Sequence, residues 1–189
     1  MFRRLKRFFS RFKRPKPKPE VKPSPRLIYA LDSRTKKNIK SLNPKVQFVF
    51  IKLMQIAKAK GLQYGGPKCE VKAISGNRSY EKQQELYNKG RTTEGKIVTY
   101  AKPGYSNHNF GLALDMGIFI NGKYMDAIDS GFVYKVYKSI AIEAEVQDLP
   151  IKWGGNFKRF VDSPHFEYDA GLTMAQMRQR VAEGKAIIS

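Results

Sequence analysis

Apolar side chains follow a helical period at the very start of the chain. In MFRRLKRFFSRFKR, residues 1–14, Met1, Leu5, Phe8 and Phe12 share one face with Phe2 and Phe9 beside them, and Arg and Lys fill most other positions. That pattern predicts a cationic amphipathic helix. PKPKPEVKPSPR, residues 15–26, then breaks it: Pro15, Pro17, Pro19, Pro23 and Pro25 predict an extended, semi-rigid spacer. From residue 27 to 189 the chain reads as one folded domain. Asn43-Pro44 predicts a helix start and Gly61 its end, with CEVKAIS as the strand that follows. Ser79 caps a helix over YEKQQELYNK, closed by Gly90. LALDMGIFINGKYMD alternates as two strands around Asn121-Gly122, a strong hairpin signal. Residues 131–147 predict a helix with Phe132, Val136 and Ile140 on one face, PHFEY a short strand, and Thr173 the cap of a last helix ending at Gly184. Helices mixed with hairpin-joined strands indicate an α+β fold, with a small antiparallel sheet flanked by helices.

Charge changes the picture more than size does. The 189 residues suffice for one domain with a real core. They carry 36 Lys+Arg against 16 Asp+Glu, a net charge of +20. Residues 1–26 hold 11 of the basic side chains and one acid, Glu20, so half of the surplus lies in the tail. Such a chain seeks polyanions, and three readings of the tail stay open: contact with an anionic membrane or lipopolysaccharide, a solvated basic leader, or nucleic acid. No specific nucleic-acid partner is expected, and a monomer is. The lone Cys69 excludes an intrachain disulfide. No apolar run nears the roughly 20 residues that span a bilayer. The basic N-terminus is followed by no apolar signal core, so the expectation is synthesis and retention in a cytoplasm.

The chain has two histidines, and each has a carboxylate nearby. His108 precedes the strand that contains Asp115; His165 lies in VDSPHFEY, after Asp162 and before Glu167 and Asp169. On the strand, Leu112, Leu114, Met116 and Ile118 form one face. Ala113, Asp115 and Gly117 form the other, where small neighbours leave room around the carboxylate. Two histidines and one carboxylate are a known catalytic zinc set with the fourth position left for water. Such a site needs a general base, for which Asp162 is better placed than Glu167 or Asp169. Spacing alone leaves open that both histidines are ordinary polar residues.

Three motifs resemble the M15 metallopeptidases. Ser106-Asn107-His108-Asn109-Phe110-Gly111-Leu112-Ala113-Leu114-Asp115 fits S-x-H-x-x-G-x-A-x-D. SGNRSYEKQQELY, Ser75 to Tyr87, is similar to the family's S-G-x-R-S-x-x-x-Q-x-x-L-Y segment, and WGGNFKRFVDSPHFEY, Trp153 to Tyr168, to its W-G-G…D-x-P-H-F block. The resemblance implies the Hedgehog/D,D-peptidase-like zinc peptidase fold, with one Zn²⁺ held by His108, Asp115 and His165. It implies Asp162 as catalytic base and Arg78 as the residue that holds a substrate carbonyl or carboxylate and stabilises the oxyanion. Ser106 and Trp153 become candidate substrate contacts, although a loop-capping hydroxyl explains Ser106 equally well and a core or rim aromatic explains Trp153.

The resemblance further implies hydrolysis of the peptidoglycan stem peptide. Carboxypeptidases of the family more often carry E-x-x-H, whereas Asp162-Ser163-Pro164-His165 resembles the L-alanyl-D-glutamate endopeptidases of phage lysins. The expectation is therefore a phage or prophage endolysin, held in the host bacterial cytoplasm and acting on the wall after release. A D-Ala-D-Ala carboxypeptidase and a non-catalytic wall- or membrane-binding protein driven by the basic N-terminus are the alternatives.

Overall fold

The structure, a computed structural model, describes residues 31–126 and 131–188. The amphipathic segment, the spacer and residues 27–30 lie outside the described residues. The elements in chain order are α1 (Ser33–Lys40), α2 (Gln47–Gly65), β1 (Cys69–Ser75), α3 (Tyr80–Asn88), a 3-10 turn (Asn107–Phe110), β2 (Ala113–Ile120), β3 (Lys123–Met125), α4 (Gly131–Val146), β4 (Ile151–Trp153), a second 3-10 turn (Gly154–Asn156), β5 (His165–Tyr168) and α5 (Met174–Ala182). This is the α+β class expected. Among the described residues no helix is long and apolar enough to cross a membrane.

The strands form one antiparallel sheet in the order β1-β2-β5-β4, with β3 pairing the far end of β2 across the Asn121-Gly122 turn. On β2 the alternation read from the sequence is the alternation observed. Leu112, Leu114, Met116 and Ile118 are fully buried and join Phe50, Leu53, Met54, Val133, Val136, Ile140 and Phe166 in the core, on the face covered by α2 and α4. Burying a side chain of this size stabilises the fold by about 1.5–3 kcal/mol, so this single layer fixes the register of β2. The Tyr137 hydroxyl ties α4 to the sheet by donating to the Met116 carbonyl at 2.8 Å.

Two elements, α2 and α4, differ from the sequence reading. Asn43-Pro44 does not start α2: the Asn43 carbonyl accepts from Val46 in a turn, and the helix begins at Gln47. Gly61 does not end it, for α2 runs on to Gly65. A Cβ at Gly61 would lie 2.8 Å from Val71 Cγ2, so this glycine lets the helix approach β1 closely. On α4, Val133, Val136, Tyr137, Ile140 and Ala144 form the buried face, and Phe132 only flanks it. Helix α1 and strand β4 are additions. α1 buries only Thr35 and Ile39 and is held by its cap, with Asp32 accepting from Thr35 N–H at 3.0 Å.

Candidate active site

The sheet register assembles the site. Ser75 on β1 pairs with Asp115 on β2, and Asp115 pairs with His165 on β5, so three adjacent strands line up one cross-strand row. Directly opposed residues have Cβ atoms about 4.5–5.5 Å apart, which puts a carboxylate and an imidazole within reach without any loop rearrangement. His108 arrives from the 3-10 turn just before β2. One donor atom each from His108, Asp115 and His165 lies within 4.8 Å of the other two.

Hydrogen bonds decide which ring nitrogens face inward. His108 Nδ1 lies 2.7 Å from the Gly76 carbonyl oxygen. A carbonyl can only accept, so Nδ1 carries the hydrogen and, in the neutral ring, the lone pair is on Nε2, 3.1 Å from Asp115 Oδ1. His165 is turned the other way: Nε2 meets Glu167 Oε2 at 3.0 Å and Nδ1 meets Asp115 Oδ1 at 3.0 Å. Asn107 donates to the same Glu167 oxygen at 2.7 Å and so fixes the carboxylate that fixes the imidazole. Glu167, considered from the sequence as a weaker base, thus shares the face of His165 as its parity predicts and serves as that histidine's anchor. A carboxylate or carbonyl behind each imidazole is the usual backing of a metal-bound histidine.

The electrostatics ask for a cation at this point. Burial opposes ionisation of Asp115, but His108 and His165 outweigh it and hold the carboxyl well below the usual carboxylate range. Burial likewise opposes a charge on His165, yet the bonds and charges of Asp115 and Glu167 raise it to about 10. Glu167 is also opposed by burial and is kept ionised by His165 and Asn107. Once the proton between His165 and Asp115 is displaced, two inward ring nitrogens and one carboxylate oxygen match the N/O set that a divalent transition metal prefers, and each imidazole is already bonded from behind. The residues fit such an ion.

Asp162 and Arg78 line the same cavity, of about 550 Å³, as the cluster. The backbone of Asp162 is set by Gly154: Asp162 N–H donates to the Gly154 carbonyl at 3.0 Å, and His165 N–H donates back to the Asp162 carbonyl at 3.1 Å. A Cβ on Gly154 would sit 2.5 Å from the Asp162 oxygen and 3.0 Å from His165 Cβ, so no other residue fits there. Burial, then the nearby charge of Asp115, push the Asp162 carboxyl above its usual range, against the pull of His165, His108 and Arg78. A carboxylate so placed holds a proton more readily than one in water. Arg78 is fixed by Gln83 Oε1 at 2.9 Å and Ser75 Oγ at 3.3 Å, and its Nη2 lies 3.6 Å from Asp115 Oδ2. Its side chain is only 15% exposed.

Ser106 lines the cavity and makes no capping bond from its side chain, which leaves its hydroxyl for another partner. For Trp153 the structure favours the core alternative. It is buried, does not line this cavity, stacks on Phe166, and donates from Nε1 to the Ser163 carbonyl at 2.7 Å. It braces the 162–165 turn from behind. Asp169 lies outside the site, paired with Lys152 at 2.9 Å. Two residues of the site had gone unassigned, Asn107 and Gln83. Gln83 is fully buried and also donates to the Ala101 carbonyl at 2.8 Å. The signal for it was present, because it is the glutamine of the S-G-x-R-S-x-x-x-Q motif.

Comparison with known proteins now bears on this geometry. Residues 39–147, more than half of the chain, match the family described as VanY, D-alanyl-D-alanine carboxypeptidase. The chain belongs to the VanY family. The matched span holds Arg78, Ser106, His108 and Asp115; Asp162 and His165 follow it. Over 106 residues the chain is 41% identical to the peptidoglycan L-alanyl-D-glutamate endopeptidase CwlK of Bacillus subtilis, a match covering 52% of this chain and 60% of that relative. Among solved structures, the Serratia marcescens L-Ala D-Glu endopeptidase ChiX superposes with a TM-score of 0.50 at 20% identity, covering 72% of this chain and 86% of that one. That second likeness is one of fold. The VanY-family chain described here therefore shares its architecture with peptidoglycan peptidases and is a homologue of one of them.

Proposed function

We propose that this chain is a zinc-dependent peptidase that cuts the peptidoglycan stem peptide at the L-Ala–D-Glu bond. The observation that carries the reading is the inward convergence of His108 Nε2, His165 Nδ1 and Asp115 Oδ1, each imidazole held from behind, beside a cavity that also presents Asp162 and Arg78. One zinc ion held by these three residues would polarise the peptide carbonyl and lower the pKa of water to about 7. Asp162 takes the proton of the attacking water and returns it to the leaving amine, a task suited to its raised proton affinity. Arg78, locked by Gln83 and Ser75, presents its guanidinium to the oxygen on which negative charge develops. Ser106 offers its hydroxyl to the bound peptide.

The choice of bond is supported by the relative CwlK, named for the L-alanyl-D-glutamate linkage, and by the Asp162-Ser163-Pro164-His165 spacing. The family's own description favours the second reading, removal of terminal D-Ala. The wider role proposed is that of a phage or prophage endolysin, present in the host cytoplasm and reaching the wall at lysis. Residues 1–14 would then hold the enzyme on an anionic membrane or on lipopolysaccharide, with residues 15–26 as spacer.

The test is metal content together with digestion of purified peptidoglycan. The wild type should carry one zinc per chain, lose activity to a chelator and regain it with zinc. His165→Ala should lose both metal and turnover. Turnover retained in that variant contradicts the site.

A further inference from the structure

The cavity has a polar floor and an apolar rim. Val98, Tyr100 and Tyr105 on one loop and Phe157 and Phe160 on the loop opposite line it and are large apolar side chains left exposed. Tyr100 and Phe160, 69% and 57% exposed, meet edge to face across the mouth with ring centroids 5.8 Å apart. The position of Tyr100 is built. Arg91 packs its guanidinium between Tyr87, at 4.0 Å, and Tyr100, at 5.7 Å, and donates to the Thr99 carbonyl at 3.1 Å. Exposed rings gathered at a catalytic cavity mark a contact surface. The peptide proposed for this site has no aromatic group, and its D-Glu carboxylate suits Arg78 better than a ring.

We propose that Tyr100 and Phe160 are specificity residues that hold the sugar to which the stem peptide is attached. The inference rests on the endopeptidase reading above. In peptidoglycan the first stem residue, L-Ala, is amide-linked to the lactyl group of N-acetylmuramic acid, so the L-Ala–D-Glu bond lies one residue from a pyranose ring. An extended chain advances about 3.3–3.6 Å per residue, so the sugar falls within about 10 Å of the bond being cut, at the cavity mouth. The C–H groups on one face of a pyranose pack on the electron-rich face of an aromatic ring, the contact that Tyr100 and Phe160 offer. An enzyme trimming the far end of the stem would meet no sugar at that distance, which ties this rim to the bond near the glycan.

The experiment compares two substrates on the full-length, zinc-loaded protein: a disaccharide carrying the stem peptide, and the same stem peptide free. The wild type should prefer the glycan-linked stem in kcat/KM by about tenfold, the scale of partly burying one aromatic side chain. Phe160→Ala and Tyr100→Ala should bring the ratio close to one, mainly through KM, and Phe160→Trp should restore it. Equal turnover of both substrates by the wild type overturns the proposal. So does an equal fall on both substrates in the alanine variants, which is what rings that merely join two loops would give. Should the wild type cut neither substrate at L-Ala–D-Glu, the endopeptidase reading fails and the sugar contact is judged separately. NMR titration with N-acetylglucosaminyl-N-acetylmuramyl-L-alanine should then shift signals of both loops in the wild type and not in Phe160→Ala. No shift in the wild type rejects the contact.

Discussion

Each histidine of the site has one ring nitrogen engaged from behind and one turned toward Asp115 Oδ1, His108 through Gly76 and His165 through Glu167. Metal-free, the cluster holds a proton where the ion would sit, and this gives a pH signature. The folded pKa of His165 is raised to about 10 from an ordinary value near 6.5. Its contribution to the stability of the chelated protein is therefore full below about pH 6.5 and lost as pH rises toward 10. Asp115 has the opposite sign: its folded pKa is depressed, so its contribution is present above about pH 4 and lost on acidification below that. Thermal unfolding of the chelated protein should show maximal Tm between about pH 4.5 and 6.5 and a fall on the alkaline side. The zinc-loaded protein should lack the alkaline fall, and so should metal-free His165→Ala, from a lower plateau. The base gives a second prediction. Asp162→Asn should keep zinc and lower kcat by about a hundred- to ten-thousand-fold, measured on purified wall by release of soluble peptide. Gln83→Leu, which removes the acceptor at 2.9 Å from Arg78, should weaken transition-state binding while leaving the metal in place.

Elements position these residues through close approaches that sequence pattern reveals only in part. Alternation made β2 legible, because one face of it is a continuous apolar row. The Asp115 carboxylate could be placed on the opposite face for the same reason. Helix α1 was not legible: only Thr35 and Ile39 are buried, and its Asp32 cap is an ordinary loop dipeptide until the partner is seen. β4 is three residues long and draws its order from pairing with β5. Gly61 was misread for a physical reason. A glycine at the end of an apolar run commonly stops a helix, but this one removes a Cβ where α2 crosses Val71. Gly61→Ala should therefore destabilise by about 1–2 kcal/mol in urea unfolding, although alanine is the better helix former. The combined Gly61→Ala, Val71→Ala variant should cost less than the sum of the two single changes. Trp153 takes the core reading that its sequence context left open. Its motif marks a functional block, yet the indole acts through the Ser163 carbonyl.

At the scale of the whole molecule, the sheet supplies Asp115 and His165, the turn before β2 supplies His108, two loops supply the rim, and a basic tail comes before all of them in the chain. The cluster proposed to hold the metal was legible because the chain has only two histidines, each beside a carboxylate. Asn107, Gln83 and Glu167 were not assigned their parts, because a residue that positions another shows its role only once the fold brings the pair together. The tail carries 11 basic residues and one acid within residues 1–26. Removing it should leave digestion of purified wall intact and abolish lysis of whole cells, read by turbidity. Lysis unchanged by the deletion would remove the membrane role. The most direct measurement of the central claim is mass spectrometry of the soluble products from purified peptidoglycan, with and without a chelator. Chelator-sensitive release of stem peptides that begin at D-Glu is the predicted result. Release of terminal D-Ala alone, or of D-Glu-initiated peptides undiminished by the chelator, would contradict it.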